Sequence, residues 1–149
     1  MMNARVPVLM ADDDADDFFL MQTTLEEQRV TNPLHHVANG RQLFDFLVHR
    51  NERSEGAIGQ EQTLPGLILL DINMPGMNGL EILQKLKTDA VFRAIPVVVF
   101  STVSNPETVR RAYQLGANSF ITKPNSIQGM AEVVRCVHKC FLELPAVAA

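Results

Sequence analysis

Residues 67–71 read Leu-Ile-Leu-Leu-Asp, four apolar side chains with no polar alternation and then a carboxylate. Such a run fits a strand covered on both faces, as in the middle of a parallel sheet. The following residues, Ile72-Asn73-Met74-Pro75-Gly76-Met77-Asn78-Gly79, hold one proline and two glycines and force a tight loop. A helical pattern resumes over 80–87. Asp71 therefore falls at the carboxyl end of a strand, in the strand-to-helix crevice where open α/β sheets bind ligands. The segment alone fits equally well an aspartate that caps the next helix or solvates a loop.

Strand and helix patterns alternate along the rest of the chain. Strands are expected over 6–11, 34–38, 67–70, 95–100 and 119–122, and helices over 14–29, 41–50, 80–87, 104–116 and 126–144. Ser104-Asn105-Pro106-Glu107 reads as a capping box opening the fourth helix. Five such units in order predict an α/β fold, a doubly wound five-stranded parallel sheet with five helices. With 149 residues the chain is one domain, 5–144, and 145–149 a frayed tail. The stretch 51–66 is polar, longer than usual connections, and expected to be a mobile loop.

A net charge of −4 offers no basic footprint for nucleic acid or anionic lipid. The apolar runs are too short to span a bilayer, and Asp12 interrupts any signal-peptide core, which points to the cytoplasm. Cys136 and Cys140 lie on the last helix with Ile127, Met130, Val133, Val137 and Phe141 on or near one face. They are expected to be buried reduced thiols, since a metal site would need two further ligands.

In a parallel sheet all carboxyl ends lie along one edge, so residues distant in sequence converge there. The first strand ends in Asp12-Asp13-Asp14, the third in Asp71, the fourth in Ser101-Thr102 and the fifth in Lys123-Pro124. Two or three carboxylates form a hard oxygen site suited to Mg2+, and a bound cation would relieve their repulsion. Lys123 adds a positive charge and Ser101 a hydroxyl, which together suit a transferring phosphoryl group. The acidic run 12–17 also has a plainer reading: Asp14, Asp16 and Asp17 fit favourable first-turn charges on a helix.

These residues resemble the response-regulator receiver domains of the CheY-like kind, which implies a flavodoxin-like sheet of order 2-1-3-4-5. The likeness runs from Val6 to Leu144 and rests on Asp12-Asp13, Asp71 with Pro75 and Gly79 behind it, Ser101, Phe120 and Lys123-Pro124. It implies that Asp71 accepts a phosphoryl group from a histidine of a sensor kinase. Asp13 and Asp71 would ligate Mg2+, with Mn2+ as an alternative; Asn73 would add its carbonyl and Asp12 would act through water. Lys123 and Ser101 would contact phosphoryl oxygens, Phe120 would be the switch aromatic, and a cis Lys123-Pro124 peptide would aim the lysine inward.

Asp12 stands where many relatives carry Glu, Ser101 where many carry Thr, and Thr102 adds bulk beside the site. The resemblance implies a signalling protein that catalyses only its own phosphorylation and dephosphorylation. The long 51–66 stretch, the Ala15-Asp16-Asp17 sequence and the absence of an output domain are similar to small regulators that partner bacterial phytochromes. Output would pass to a downstream protein or histidine phosphotransfer partner, or through a homodimer built on the fourth helix, fifth strand and fifth helix. A haloacid-dehalogenase-like phosphatase would need its nucleophile on the first strand and its acidic pair late, the reverse of this order. A flavodoxin-like cofactor binder would lack its phosphate loop here, where aspartates stand instead.

Overall fold

The computed structural model describes residues 6–56 and 63–143, with the backbone alone over 53–56. Its strands are β1 (Val8–Ala11), β2 (Leu34–Val37), β3 (Leu67–Leu70), β4 (Val97–Ser101) and β5 (Ser119–Thr122). The helices are α1 (Ala15–Glu27), α2 (Gly40–Gly56), α3 (Gly79–Thr88), α4 (Pro106–Gln114) and α5 (Ile127–Val137). A short 3-10 turn, Phe92–Ala94, precedes β4, and a π-helical turn, His138–Leu142, continues α5. The strands form one parallel sheet, as the alternating pattern predicts, in the order β2-β1-β3-β4-β5 that the resemblance to receiver domains implies.

The uninterrupted apolar strands are explained by two cores, one on each face. Leu9, Ile68, Leu70, Val97 and Val99 pack against Leu43, Leu47, Ile82, Leu86 and Ala112 of α2, α3 and α4. Their alternate neighbours Val8, Met10, Leu67, Leu69, Val98 and Phe100 face Met21 and Leu25 of α1 and Met130, Val134 and Val137 of α5. Each strand side chain thus meets a helix whichever way it points. At the amino edge the carbonyls of Pro7, Pro33 and Pro96 accept the N–H groups of Gly66, Val8 and Ile68, so proline stands where only an acceptor is needed.

Three expectations are corrected. Residues 51–56 continue α2 rather than forming a loop; of the remainder of that expected loop, 63–66 are neither helix nor strand and 57–62 lie outside the described residues, as do 1–5 and the expected tail. The N-cap of α4 is Asn105, whose side chain accepts the Thr108 N–H with Pro106 at the first helical position, so Ser104 caps nothing. Cys136 and Cys140 are exposed. The buried stripe of α5 runs through Met130, Val134 and Val137, which leaves the cysteines on its flank and Ile127 in solvent.

The extended α2 is held by Arg50. Its guanidinium donates to the Thr63 carbonyl at 3.0 Å and to His35 Nε2 on β2 at 3.0 Å, and lies over the Phe46 ring. Arg50 can only donate, so His35 Nε2 must accept, which requires the neutral ring. Burial, and then the Arg50 charge, lower the His35 pKa below its ordinary 6.5. A depressed folded-state pKa contributes stability above the unfolded value, lost as pH falls through the lower folded value. Urea unfolding of parent and His35→Gln should therefore differ more at pH 7.5 than at pH 5. A gap that widens on acidification would count against the neutral acceptor.

Candidate functional site

The sheet ladder continues one residue past each of three strands and so fixes the site residues at its carboxyl edge. Asp12 N–H donates to the Val37 carbonyl at 3.0 Å, Asp71 N–H to Ala11 at 3.0 Å and Lys123 N–H to Ser101 at 2.9 Å. Among the described residues there is no cis peptide, so the expected cis Lys123-Pro124 bond is corrected. The ladder bond to Ser101 sets the direction of the lysine instead, and its side chain still enters the acidic cluster.

Asp12 is 1% exposed and Asp71 6%, while Asp13 is open to solvent. Carboxylate oxygens of the three lie within 4.8 Å of one another. Asp12 Oδ1 accepts the Asp14 N–H at 2.9 Å, and Asp71 Oδ1 accepts the Asn73 N–H at 3.2 Å. Lys123 Nζ hydrogen-bonds to Asp71 Oδ2 at 3.0 Å and to Asp17 Oδ2 at 2.6 Å. It also forms an ion pair with the buried Asp12 Oδ2 at 2.8 Å.

Burial raises the Asp12 pKa above 3.8, against the pull of Lys123 and the Asp14 N–H, and the Asp71 charge adds to the rise. Burial alone would lower the Lys123 pKa, but its contacts with Asp12, Asp17 and Asp71 outweigh that and push it above the usual lysine range. The site therefore favours the charged ammonium of Lys123 among carboxylates that outnumber it. Three carboxylates whose oxygens converge, two of them buried, match the chemistry of a small divalent cation.

Ser101 is fully buried at the end of β4, its Oγ accepting the Val103 N–H at 3.3 Å. Thr102 is exposed next to it. Phe120 is half-buried against the core of the α2, α3 and α4 side, and its N–H donates to Tyr113 Oη of α4 at 3.0 Å.

The loop residues have steric causes. Pro75 leads into Gly76, whose φ of +82° lies in the left-handed region that favours glycine. A Cβ on Gly79 would stand 2.5 Å from Ile72 Cα and 2.6 Å from the Asp71 carbonyl oxygen, so α3 can start this close only on glycine. Pro124 supports the first turn of α5, where a Cβ on Gly129 would meet Pro124 Cβ at 2.6 Å. Gly79→Ala should lower unfolding stability by about 2 kcal/mol, because the clash is with backbone that cannot rotate away. An unchanged denaturation midpoint would show that the loop after β3 is free to move.

Two neighbours of the cluster escape sequence reasoning. Asp17, read as a first-turn helix charge, reaches Lys123. His36 Nε2 donates to the Asp12 carbonyl at 2.7 Å, and its ring stacks on Phe18 at 4.6 Å between centroids. Strict alternation in β2 would have marked His36 as pointing away from His35, but no sequence signal pairs it with Asp12.

The family model for the response regulator receiver domain matches residues 8–135. Response regulator Rcp1 of Synechocystis is 30% identical over 142 residues, covering 93% of this chain and 92% of the relative. The crystal structure of the phosphorylated cyanobacterial phytochrome response regulator RcpA superposes with a TM-score of 0.80 at 28% identity, covering 94% of this chain and 96% of that one. The Mn2+-bound form of Rcp1 gives a TM-score of 0.78 at 28% identity over 97% and 99% of the two chains. With its acidic cluster at the carboxyl edge of a 2-1-3-4-5 sheet, the chain belongs to the response regulator receiver domain family of two-component signalling proteins.

Proposed function

We propose that Asp71 is the phosphoacceptor of this receiver domain, taking its phosphoryl group from a phosphohistidine of a sensor kinase. The observation that carries this is the placement of Asp71 beside Asp12, Asp13 and Lys123 in one crevice. An Asp71 carboxylate oxygen would form the new bond to phosphorus as the phosphorus–nitrogen bond of the donor breaks and the imidazole leaves. Asp12, Asp13 and Asp71, with the Asn73 carbonyl, would hold Mg2+ or Mn2+, which when bound supplies charge compensation for the phosphoryl oxygens. Lys123 and Ser101 would receive those oxygens, and Thr102 at the rim would restrict entry of donor and water.

RcpA is a cyanobacterial phytochrome response regulator, which supports a phytochrome as the source of the signal; the place of action we propose is the cytoplasm. Among the described residues no helix is long and apolar enough to cross a membrane. Incubation with acetyl phosphate and Mg2+ should add one phosphate by intact mass, mapped to the peptide holding Asp71, with no gain in EDTA. A phosphate mapped elsewhere, or none, would overturn the reading.

Output would leave through the face of α4, β5 and α5, toward a target protein, a phosphotransfer histidine or a second copy. Arg110, Arg111, Gln114, Arg135 and Lys139 are exposed there, a polar surface suited to a reversible contact. The Phe120 side chain would follow Ser101 inward, beside the bond its backbone N–H makes to Tyr113 Oη. Phe120→Ala should label normally yet lose the change in sedimentation or amide exchange that beryllofluoride causes in the parent. A retained response would place the switch elsewhere.

A further inference from the structure

We propose that Asp17 is a positioning residue that holds Lys123 back from the phosphoryl group and so acts as a brake on phosphorylation; this rests on the phosphoacceptor reading of Asp71. Asp17 lies in the first turn of α1, behind the Asp14 N-cap, and comes from a sequence position 106 residues from its partner. Its hydrogen bond to Lys123 is 2.6 Å, shorter than the 3.0 Å bond to Asp71. A lysine whose side chain is 10% exposed has little solvent to compete for it.

The three carboxylates around Lys123 are not equivalent. Asp12 and Asp71 belong with Asp13 to the cluster that can hold a cation, whereas Asp17 does not. A cation drawing on Asp12 and Asp71 weakens their claim on the ammonium and leaves Asp17 as its undiminished partner. An incoming phosphoryl group then meets two obstacles at once. It must take the lysine from Asp17, and it must bring close to two negative charges near a fixed carboxylate. Both act in the same direction, and the 28% exposure of the Asp17 side chain screens the second.

The neighbouring Asp16 provides the control. It carries the same charge on the same helical turn, is exposed, and its backbone N–H bonds to Asp14 Oδ1. Asp16→Asn changes net charge as Asp17→Asn does, without touching Lys123. Asp17→Glu keeps the charge and, one methylene longer, can still reach the ammonium.

The experiment measures acetyl phosphate labelling rates and beryllofluoride affinity in Mg2+ for parent, Asp17→Asn, Asp17→Glu and Asp16→Asn, with Mg2+ affinity measured alone by calorimetry. Asp17→Asn should label faster and bind beryllofluoride on the order of tenfold more tightly, about 1.4 kcal/mol, while Mg2+ alone binds no more tightly than to parent. Asp17→Glu should return towards parent, and Asp16→Asn should stay within about twofold of it. A purely structural role would not tighten the phosphoryl mimic while leaving the cation unimproved. Asp17→Asn that labels no faster than Asp16→Asn, or more slowly than parent, overturns the brake alone. A parent that takes no label overturns the phosphoacceptor reading and the brake with it.

Discussion

Asp71→Asn protein should gain no phosphate from acetyl phosphate and Mg2+, a fall from one per chain to none. The amide matches the carboxylate in shape, and its oxygen can still accept the Asn73 N–H, so the variant keeps the loop after β3. What it loses is the nucleophile, because an amide oxygen carries no full charge to attack phosphorus. The cluster also loses one negative charge where Asp12, Asp13, Asp17 and Asp71 outnumber the single Lys123. Its metal-free form should therefore unfold at a temperature no lower than that of the parent. Mass spectrometry decides the first point and calorimetry the second. Phosphate persisting on the variant would shift the acceptor to Asp12 or Asp13.

Removing Lys123 should be costly in a different way. Lys123→Met keeps the length of the stem but withdraws the counter-charge from Asp12 and Asp71, which are almost wholly buried. Leaving buried charges unpaired costs about 3 kcal/mol in comparable cases, and metal-free protein at pH 7 should lose that much in urea unfolding. Saturating Mg2+ should return most of it. The loss should also shrink on acidification, because Asp12 already has its pKa raised by burial and would have it raised further. A carboxyl group whose folded pKa exceeds the unfolded value contributes stability below about 3.8, the unfolded value, and loses it as pH rises through the folded value. Parent and variant should thus lie closer together at pH 4 than at pH 7. Coincident unfolding curves without metal at pH 7 would mean that Lys123 does not compensate the cluster.

The core of the fold and most of the site could be read from the chain because both rest on local patterns. Runs such as Leu67–Leu70 and 97–100 announce strands buried on two faces, and their carboxyl ends then bring Asp12, Asp71, Ser101 and Lys123 to one edge without further information. Reading failed where the decisive contact is tertiary or the pattern is polar. Residues 51–56 extend α2 without an apolar stripe, so nothing in them distinguishes helix from loop. Cys136 and Cys140 sit at helical spacing from one another beside core positions, yet the face that packs is the one through Met130, Val134 and Val137, and both thiols are left outside it. Asp17 has the composition of a helix-start charge, and only the folded chain brings Lys123 to it.

The prolines that close the amino edge of the sheet have a practical consequence for instrumenting this molecule. A strand of four or five residues spans roughly 15 Å, and the connection from α3 to β4, with exposed Ala90 on it, enters the sheet at the edge opposite the carboxylates. A dye there would not crowd a docking kinase or perturb cation affinity, yet it would ride on the segment joining α3 to β4 and move with any displacement of either. Biosensor construction can therefore treat the two ends of the strands as separate terminals, one for chemistry and one for readout.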